Sequence, residues 1–333
     1  LQSLWTGFQF IDLFEQVVRY LLKIQKGRAT GINAALISAI FLGFAPVFGK
    51  AAMGVGKFSP YAVVALRTGL AALLLLLIMF VWKRKYLYIY PAGLIGCLMA
   101  GAVNGFGSIF YYIGLSKLNA SVAQMLYSLY PFFLVFWLLL DKQSPSRLTI
   151  VRIIIAVLSV SLLTQAAAGN IDMVGVLCML IGSAMYALHL PINQRVLYDV
   201  PAPTVTVYTL LAMSGIVIPV YFIFDHSWPV GNAPWLPVLG LTMVTFFSRL
   251  LLFLGVKHIG GMQTALLGLA ELLIAIVFSH LLLGESLTPL QWLGTLGLGL
   301  SLLLVWFEKP VANPIQTHGL LSWIQPPDYP ADF

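Results

Sequence analysis

The chain has 333 residues, of which 60% are hydrophobic and 9% charged, with a mean hydropathy of +0.95. An ordinary soluble domain carries roughly 25% charged residues, so this composition cannot furnish a soluble surface. The formal charge of +7 is therefore read by its position relative to a bilayer and not as a nucleic-acid signal, since the run KRKYLYIY (83–90) mixes residue types that favour the headgroup region.

In the N-terminal extension, residues 1–29, Phe10, Leu13, Phe14, Val17, Leu21 and Ile24 recur at helical spacing with Glu15, Arg19, Lys23 and Lys26 among them. This suits an amphipathic helix lying on a membrane surface, and equally a mobile arm. A bilayer core about 30 Å thick needs roughly 20 helical residues per crossing. Apolar runs of that length fall at 32–53, 59–82, 91–115, 121–140 and 148–166, then at 172–196, 205–224, 236–256, 262–284 and 290–307. They predict an all-α integral membrane protein with ten transmembrane helices. The tail, 310–333, is rich in proline and polar residues and is predicted to be disordered. Cys97 and Cys178 both lie inside apolar runs, which suggests neither a disulfide framework nor a metal site.

Lys and Arg stay preferentially on the cytoplasmic side. With the N-terminus inside, Arg19, Lys23, Lys26, Arg28, Lys83, Arg84, Lys85, Lys142, Arg147, Arg152, Arg195, Lys257 and Lys309 fall in the cytoplasm. Lys50, Lys57 and Lys117 fall outside, and Arg67 and Arg249 lie within spans. Both termini are predicted to be cytoplasmic, in a multi-pass protein of the cell membrane.

The chain repeats itself. SAIFLGFAPVFGK (38–50) lies over SAMYALHLPINQR (183–195) without a gap, sharing Ser-Ala, an aromatic at the fourth position, proline at the ninth and a base at the thirteenth. GLSKLNASVAQMLYSLYP (114–131) lies over GVKHIGGMQTALLGLAEL (255–272), and RLTIVR (147–152) over SLTPLQ (286–291). The repeats are residues 30–168 and 169–309. Five helices per half force the second copy to cross in the opposite sense, giving two inverted five-helix repeats, an architecture that recurs in secondary transporters.

The five-plus-five pattern, KFSP followed after six intervening residues by an arginine (57–67), YIGLSKLNASVA (112–123) and LLLGESLTPLQWLG (281–294) together resemble the EamA branch of the drug/metabolite transporter superfamily. The resemblance covers about residues 30–308. It implies a ten-helix fold with a central cavity and export of small metabolites such as amino acids. The first half departs from the family, having DKQSPSRLT (141–149) where a Gly-Glu pair is usual.

A charge near the bilayer centre costs at least about 2.5–3.5 kcal/mol and needs a partner, a water-filled cavity or a task. Arg249 and Glu271 flank the loop at Ile259 and Gly260, which places both roughly 15–17 Å from one surface. Two readings stand. The pair neutralises itself and fixes packing, or it lines the cavity, Arg249 engaging a substrate carboxylate and Glu271 an amine or a coupling proton. Arg67 either snorkels to the headgroups or, as the resemblance implies, faces the pore. His189 is a hydrogen-bonded packing residue or a proton relay. Of the neutral polar set Asn104, Tyr111, Tyr112, Gln124, Tyr127, Tyr130, Asn193 and Gln263, the preferred cavity-lining candidates are Asn104, Tyr111, Gln124 and Tyr127. Gly101 and Gly105 form a small-xxx-small pair for close helix contact. Pro46 and Pro191, at matched repeat positions, are candidate hinges.

No nucleophile elbow, His-Glu-x-x-His pattern or Gly-rich phosphate loop is present, so neither an enzyme nor an ATP-driven pump is expected, and no cofactor is implied. The sequence predicts a secondary transporter of small metabolites embedded in a lipid bilayer, with no nucleic-acid partner. The alternative is a passive channel or a lipid- or nucleotide-sugar-handling membrane protein. Substrate, direction, proton coupling and oligomeric state are not legible.

Overall fold

In a bilayer every backbone N–H and C=O must be paired within the protein, which leaves helices as the workable form for these apolar runs. The computed structural model describes residues 28–54, 57–142, 145–165, 172–225, 233–283, 288–307 and 320–324. Among them the only β-type pairing is an isolated bridge between Met53 and Phe58. The amphipathic extension predicted at 1–29 lies almost wholly outside the described residues.

The first half comprises α1 (Arg28–Gly43), α2 (Ala45–Ala52), α3 (Pro60–Trp82), α4 (Pro91–Lys117), α5 (Ala120–Tyr127), α6 (Tyr130–Leu140) and α7 (Arg147–Gln165). The second comprises α8 (Met173–Leu197), α9 (Ala202–Phe224), α10 (Trp235–Ile259), α11 (Gly261–Gly268), α12 (Ala270–Leu283) and α13 (Pro289–Leu303). Taking α1 with α2 and α5 with α6, 7 rods among the described residues are long and apolar enough to cross a membrane, and Gly261–Ala275 and Trp292–Leu303 are shorter apolar helices.

Local chemistry sets the starts. Proline stands in the first turn of α3, α4, α6 and α9, where its missing N–H forfeits no helical bond. Ser59 Oγ accepts the Ala62 N–H ahead of α3. Asp172 Oδ1 accepts from Val174 and Gly175 ahead of α8, at 2.8 and 3.1 Å. The Gly175 N–H, with Lys117 beside it, holds the Asp172 carboxyl below its ordinary pKa.

Packing respects the repeat. α4 packs on α8 and α9, as α10 packs on α1 and α3; α6 packs on α8 as α12 does on α1; and α7 packs on α13. Exchanging the halves maps this set of contacts onto itself. Facing outward, Ile150, Ile154 and Leu158 of α7 and Leu73, Leu77 and Phe80 of α3 are exposed, an apolar surface suited to lipid. Facing inward, Ser38, Thr68, Asn104, Ser183, Asn193 and Ser248 are buried. These polar side chains are set within an interior that is otherwise apolar.

Two bases and part of the tail are placed more closely than the sequence allowed. Arg152 and Arg195, assigned by the charge count to the cytoplasmic side, are both buried within the protein. Arg152 donates to the Ser301 carbonyl at 3.1 Å and to Gln263 Oε1 at 2.5 Å, and Arg195 pairs with buried Asp141 at 3.2 Å. The reason is that the count of positive charges locates helix ends but does not see a base that turns inward. Part of the tail predicted to be disordered is a packed turn: in residues 320–324 the Leu321 N–H donates to Asp141 Oδ1 at 3.0 Å and Ile324 is buried in the core. The rest of 310–333 lies outside the described residues. Asp141 thus clamps Arg195 and the turn at 320–324 to the end of α6.

Candidate functional site

Three helical rods are broken, and the breaks meet. Two of them follow the repeat: α5 and α11 have 8 residues each and stand at matched positions, Ala120 with Gly261 and Tyr127 with Gly268. After α5, Pro131 has no N–H to give the Tyr127 carbonyl, and Ser183 Oγ supplies the donor at 2.8 Å. After α11 no proline intervenes. Instead the Leu269 N–H turns back to the Leu266 carbonyl at 3.4 Å, releasing the Ala265 carbonyl, to which Tyr130 Oη donates at 2.8 Å. Tyr130→Phe is therefore expected to lower stability by about 1–3 kcal/mol, the cost of a buried unpaired polar group, read as a fall in the thermal midpoint of the purified protein. The third break separates α1 from α2, where the Phe44 N–H bonds the Phe41 carbonyl at 3.1 Å just before Pro46. Phe44 packs against Phe278 of α12, ring centroids 4.3 Å apart and planes tilted by 46°, and a Cβ on Gly43 would lie 3.0 Å from the Glu271 carbonyl.

Around these breaks lies a ring of tyrosines carrying two guanidiniums and one carboxyl. Tyr111 and Tyr127 are 4.7 Å apart between ring centroids, Tyr127 and Tyr186 5.3 Å, and Tyr130 and Tyr186 5.0 Å. Arg67 lies over Tyr112 at 4.9 Å and donates to Thr245 Oγ1 at 3.1 Å and Ser108 Oγ at 3.2 Å. It is buried, so the snorkelling reading is excluded. Arg249, one turn beyond Thr245 on α10, lies over Tyr186 at 5.5 Å and donates to His189 Nε2 at 3.3 Å. His189 Nδ1 faces the Tyr186 carbonyl. A ring that donates at Nδ1 and accepts at Nε2 is the neutral tautomer. Glu271, in the first turn of α12, is hydrogen-bonded by the Gln124 side chain, whose Oε1 accepts from Tyr111 Oη at 3.2 Å.

A direct Arg249–Glu271 salt bridge, which one of the two readings allowed, is not among the ion pairs of the described residues. Arg249 is drawn onto α8 by Tyr186 and His189, while Glu271 is held from α5 by Gln124. The two remain within electrostatic reach of each other, as Arg67 is of Arg249. Tyr111, Gln124, Tyr127 and His189 all join this centre. Asn104 sits one turn from Ser108, its Nδ2 3.5 Å from Met213 Sδ, at the contact of α4 with α9. Pro46 follows a helix break, whereas α8 runs unbroken through Pro191, so the matched prolines do not bend their helices alike. Gly101 and Gly105 do bring α4 against α9.

Tyr186, Ser108 and Thr245 were not anticipated. Tyr186 had a signal, being the aromatic shared by both repeats at the fourth position, opposite Phe41. Ser108 and Thr245 had none, since small hydroxyls within apolar helices acquire meaning only from what faces them. Several polar atoms at the centre have no hydrogen-bond partner among the described residues: Arg67 Nε, Arg249 Nε, Tyr112 Oη and Glu271 Oε1. Buried groups of this kind are normally paired. A centre that leaves them open has capacity to hold a polar guest.

The pattern of the EamA-like transporter family matches residues 29–165 and again residues 173–307. A solved crystal structure, titled only as that of a protein, superposes with a TM-score of 0.65 at 15% identity, covering 84% of this chain and 98% of that one. At that identity the likeness speaks for the fold. No curated protein matches the chain. With both halves matched separately across nearly all of the described residues, the chain belongs to the EamA-like transporter family and carries two copies of its repeat.

Proposed function

We propose that the protein is a secondary carrier that moves small organic metabolites, amino acids first among them, out of the cell by alternating access to one central site. In this reading ten helices cross the cell membrane as two inverted halves, with both termini cytoplasmic. The observation that carries it is the meeting of broken helices at a buried Arg67, Arg249, Glu271 and tyrosine centre. Discontinuous helices that bring charge to a repeat interface near the midplane are how such carriers build a solute site. Arg249 engages a substrate carboxylate, and Glu271 an amine or a coupling proton. The breaks beside Pro46 and Pro131 let one bundle rock on the other.

The test is counterflow of a solute panel through purified protein in liposomes, with and without a pH gradient. Saturable exchange is expected, and Arg249→Ala and Glu271→Gln should each lower it by about a hundredfold or more, as expected for lost groups that position a reacting or transported solute. Wild-type exchange in both variants, with protein still inserted, would remove the proposed site. Flux that never saturates would replace the carrier with a channel.

A further inference from the structure

A charge count at the centre constrains what it holds. Arg67 and Arg249 are both more than nine-tenths buried, at 6% and 4% exposure, and Glu271 is at 3%. A guanidinium stays protonated in proteins, and His189 is neutral by its hydrogen-bond pattern. The described side chains at the centre therefore carry two positive charges against at most one negative charge. Neither arginine meets that carboxylate directly. Arg67 has only neutral partners, the hydroxyls of Thr245 and Ser108 and the face of Tyr112, and Arg249 has an imidazole and the face of Tyr186. A net charge left buried among apolar helices is costly unless a counter-charge joins it. Each arginine keeps its Nε without a partner, and Tyr112 Oη, beside Arg67, is likewise open. These are donors with no acceptor, and an oxyanion is the acceptor they lack.

We infer that the centre binds organic solutes with net negative charge, an acid group being shared between Arg67 and Arg249, and that Glu271 limits the number of negative charges admitted. The inference rests on the carrier reading and narrows its substrate class. A zwitterion of zero net charge leaves one positive charge uncompensated. A monoanion, including an amino acid with an acidic side chain, closes the count while Glu271 is ionised. Were Glu271 neutral, the centre would favour a dianion.

The experiment uses the full chain in liposomes with solute ladders that hold the carbon skeleton nearly fixed while charge changes. Ornithine, glutamine, glutamate and 2-oxoglutarate step from plus one to minus two, and a parallel ladder on an aromatic skeleton guards against a poor fit of shape. Exchange of the anionic members is expected to exceed that of their neutral counterparts by about tenfold or more in specificity, the scale at which mispaired buried groups discriminate. Arg67→Gln should collapse the anion-to-neutral ratio toward one, and Arg67→Lys should restore most of it. Glu271→Gln should raise the dianion relative to the monoanion by a similar factor. Saturable exchange that favours neutral or cationic members overturns this inference and leaves the carrier standing. A Glu271→Gln variant with unchanged charge ranking overturns the role given to Glu271. Exchange no greater than in empty liposomes, for every member of both ladders, overturns the inference and the carrier reading together.

Discussion

Asp141→Ala is expected to cost about 3–5 kcal/mol, the range for removing one partner of a buried ion pair and leaving the other charge uncompensated. Arg195 and Asp141 have side-chain exposures of 4% and 3%, and they join the end of α8 in the second half to the end of α6 in the first. The same carboxylate receives the Leu321 N–H through Oδ1, so one substitution removes the counter-charge from Arg195 and releases the turn at 320–324. Asp141→Asn separates the two effects, because it keeps an oxygen for Leu321 while losing the charge for Arg195, and it should fall between wild type and alanine. The double variant Asp141→Ala, Arg195→Ala should be less destabilised than the two single losses added together, since no bare charge remains. Thermal denaturation in detergent, followed by size-exclusion recovery, reads all four proteins. Lys117→Ala is the control, because the Lys117–Asp172 pair has 38% and 39% exposure and solvent already screens it. A midpoint for Asp141→Ala that coincides with the Lys117→Ala midpoint would show that the pair is not the clamp described.

What the sequence made legible was whatever depends on length and periodicity. The long apolar runs became helices because a helix pairs its own backbone groups where water cannot, and the gapless alignment of 114–131 on 255–272 matches the two segments that hold α5 and α11. It did not reveal that those helices would break. Pro131 marks one break by its missing N–H, but Leu269 marks nothing, and the only hint was that it lies opposite Ser128 in the repeat. Counting residues along an axis gives Arg249 and Glu271 a common expected depth, but not a direction, because the face a side chain presents depends on which helices surround it. Hence the count could not foresee that Arg249 would turn to His189 and Glu271 to Gln124. Arg152 is a related case: it sits one turn and more inside α7, where Gln263 and Ser301 accept its hydrogen bonds.

Gly101→Leu is expected to be the most damaging substitution at a helix crossing. A Cβ at Gly101 would stand 2.5 Å from both the Ala212 Cβ and the Thr209 carbonyl oxygen, and 3.1 Å from the Met213 nitrogen. Two of these three atoms belong to the α9 backbone, which cannot swing aside as a side-chain tip does. Helix association within a bilayer draws on close packing and interhelical hydrogen bonds, not on exclusion of water, so a forced separation removes its main source of stability. Overpacking typically costs about 1–3 kcal/mol and more where backbone must shift, and the upper end is expected here because α4 and α9 belong to different halves. The neighbouring Thr209 side chain bonds Asn193 of α8 at 3.0 Å, which ties the same crossing to a third helix. One turn on, Gly105 is less tight, with its nearest atom, the Ile216 Cβ, at 3.0 Å and the Met213 carbonyl at 3.2 Å. Gly105→Ala should therefore lower the thermal midpoint modestly. At Gly215, also on α9, a Cβ would meet nothing within 4 Å, and Gly215→Ala should hold or raise stability by about 0.4–1 kcal/mol through the unfolded chain. Recovery of monodisperse protein and its melting midpoint should rank Gly215→Ala, Gly105→Ala, Gly101→Leu from highest to lowest. If Gly101→Leu instead matched Gly215→Ala, the first half would not be locked to the second through this contact.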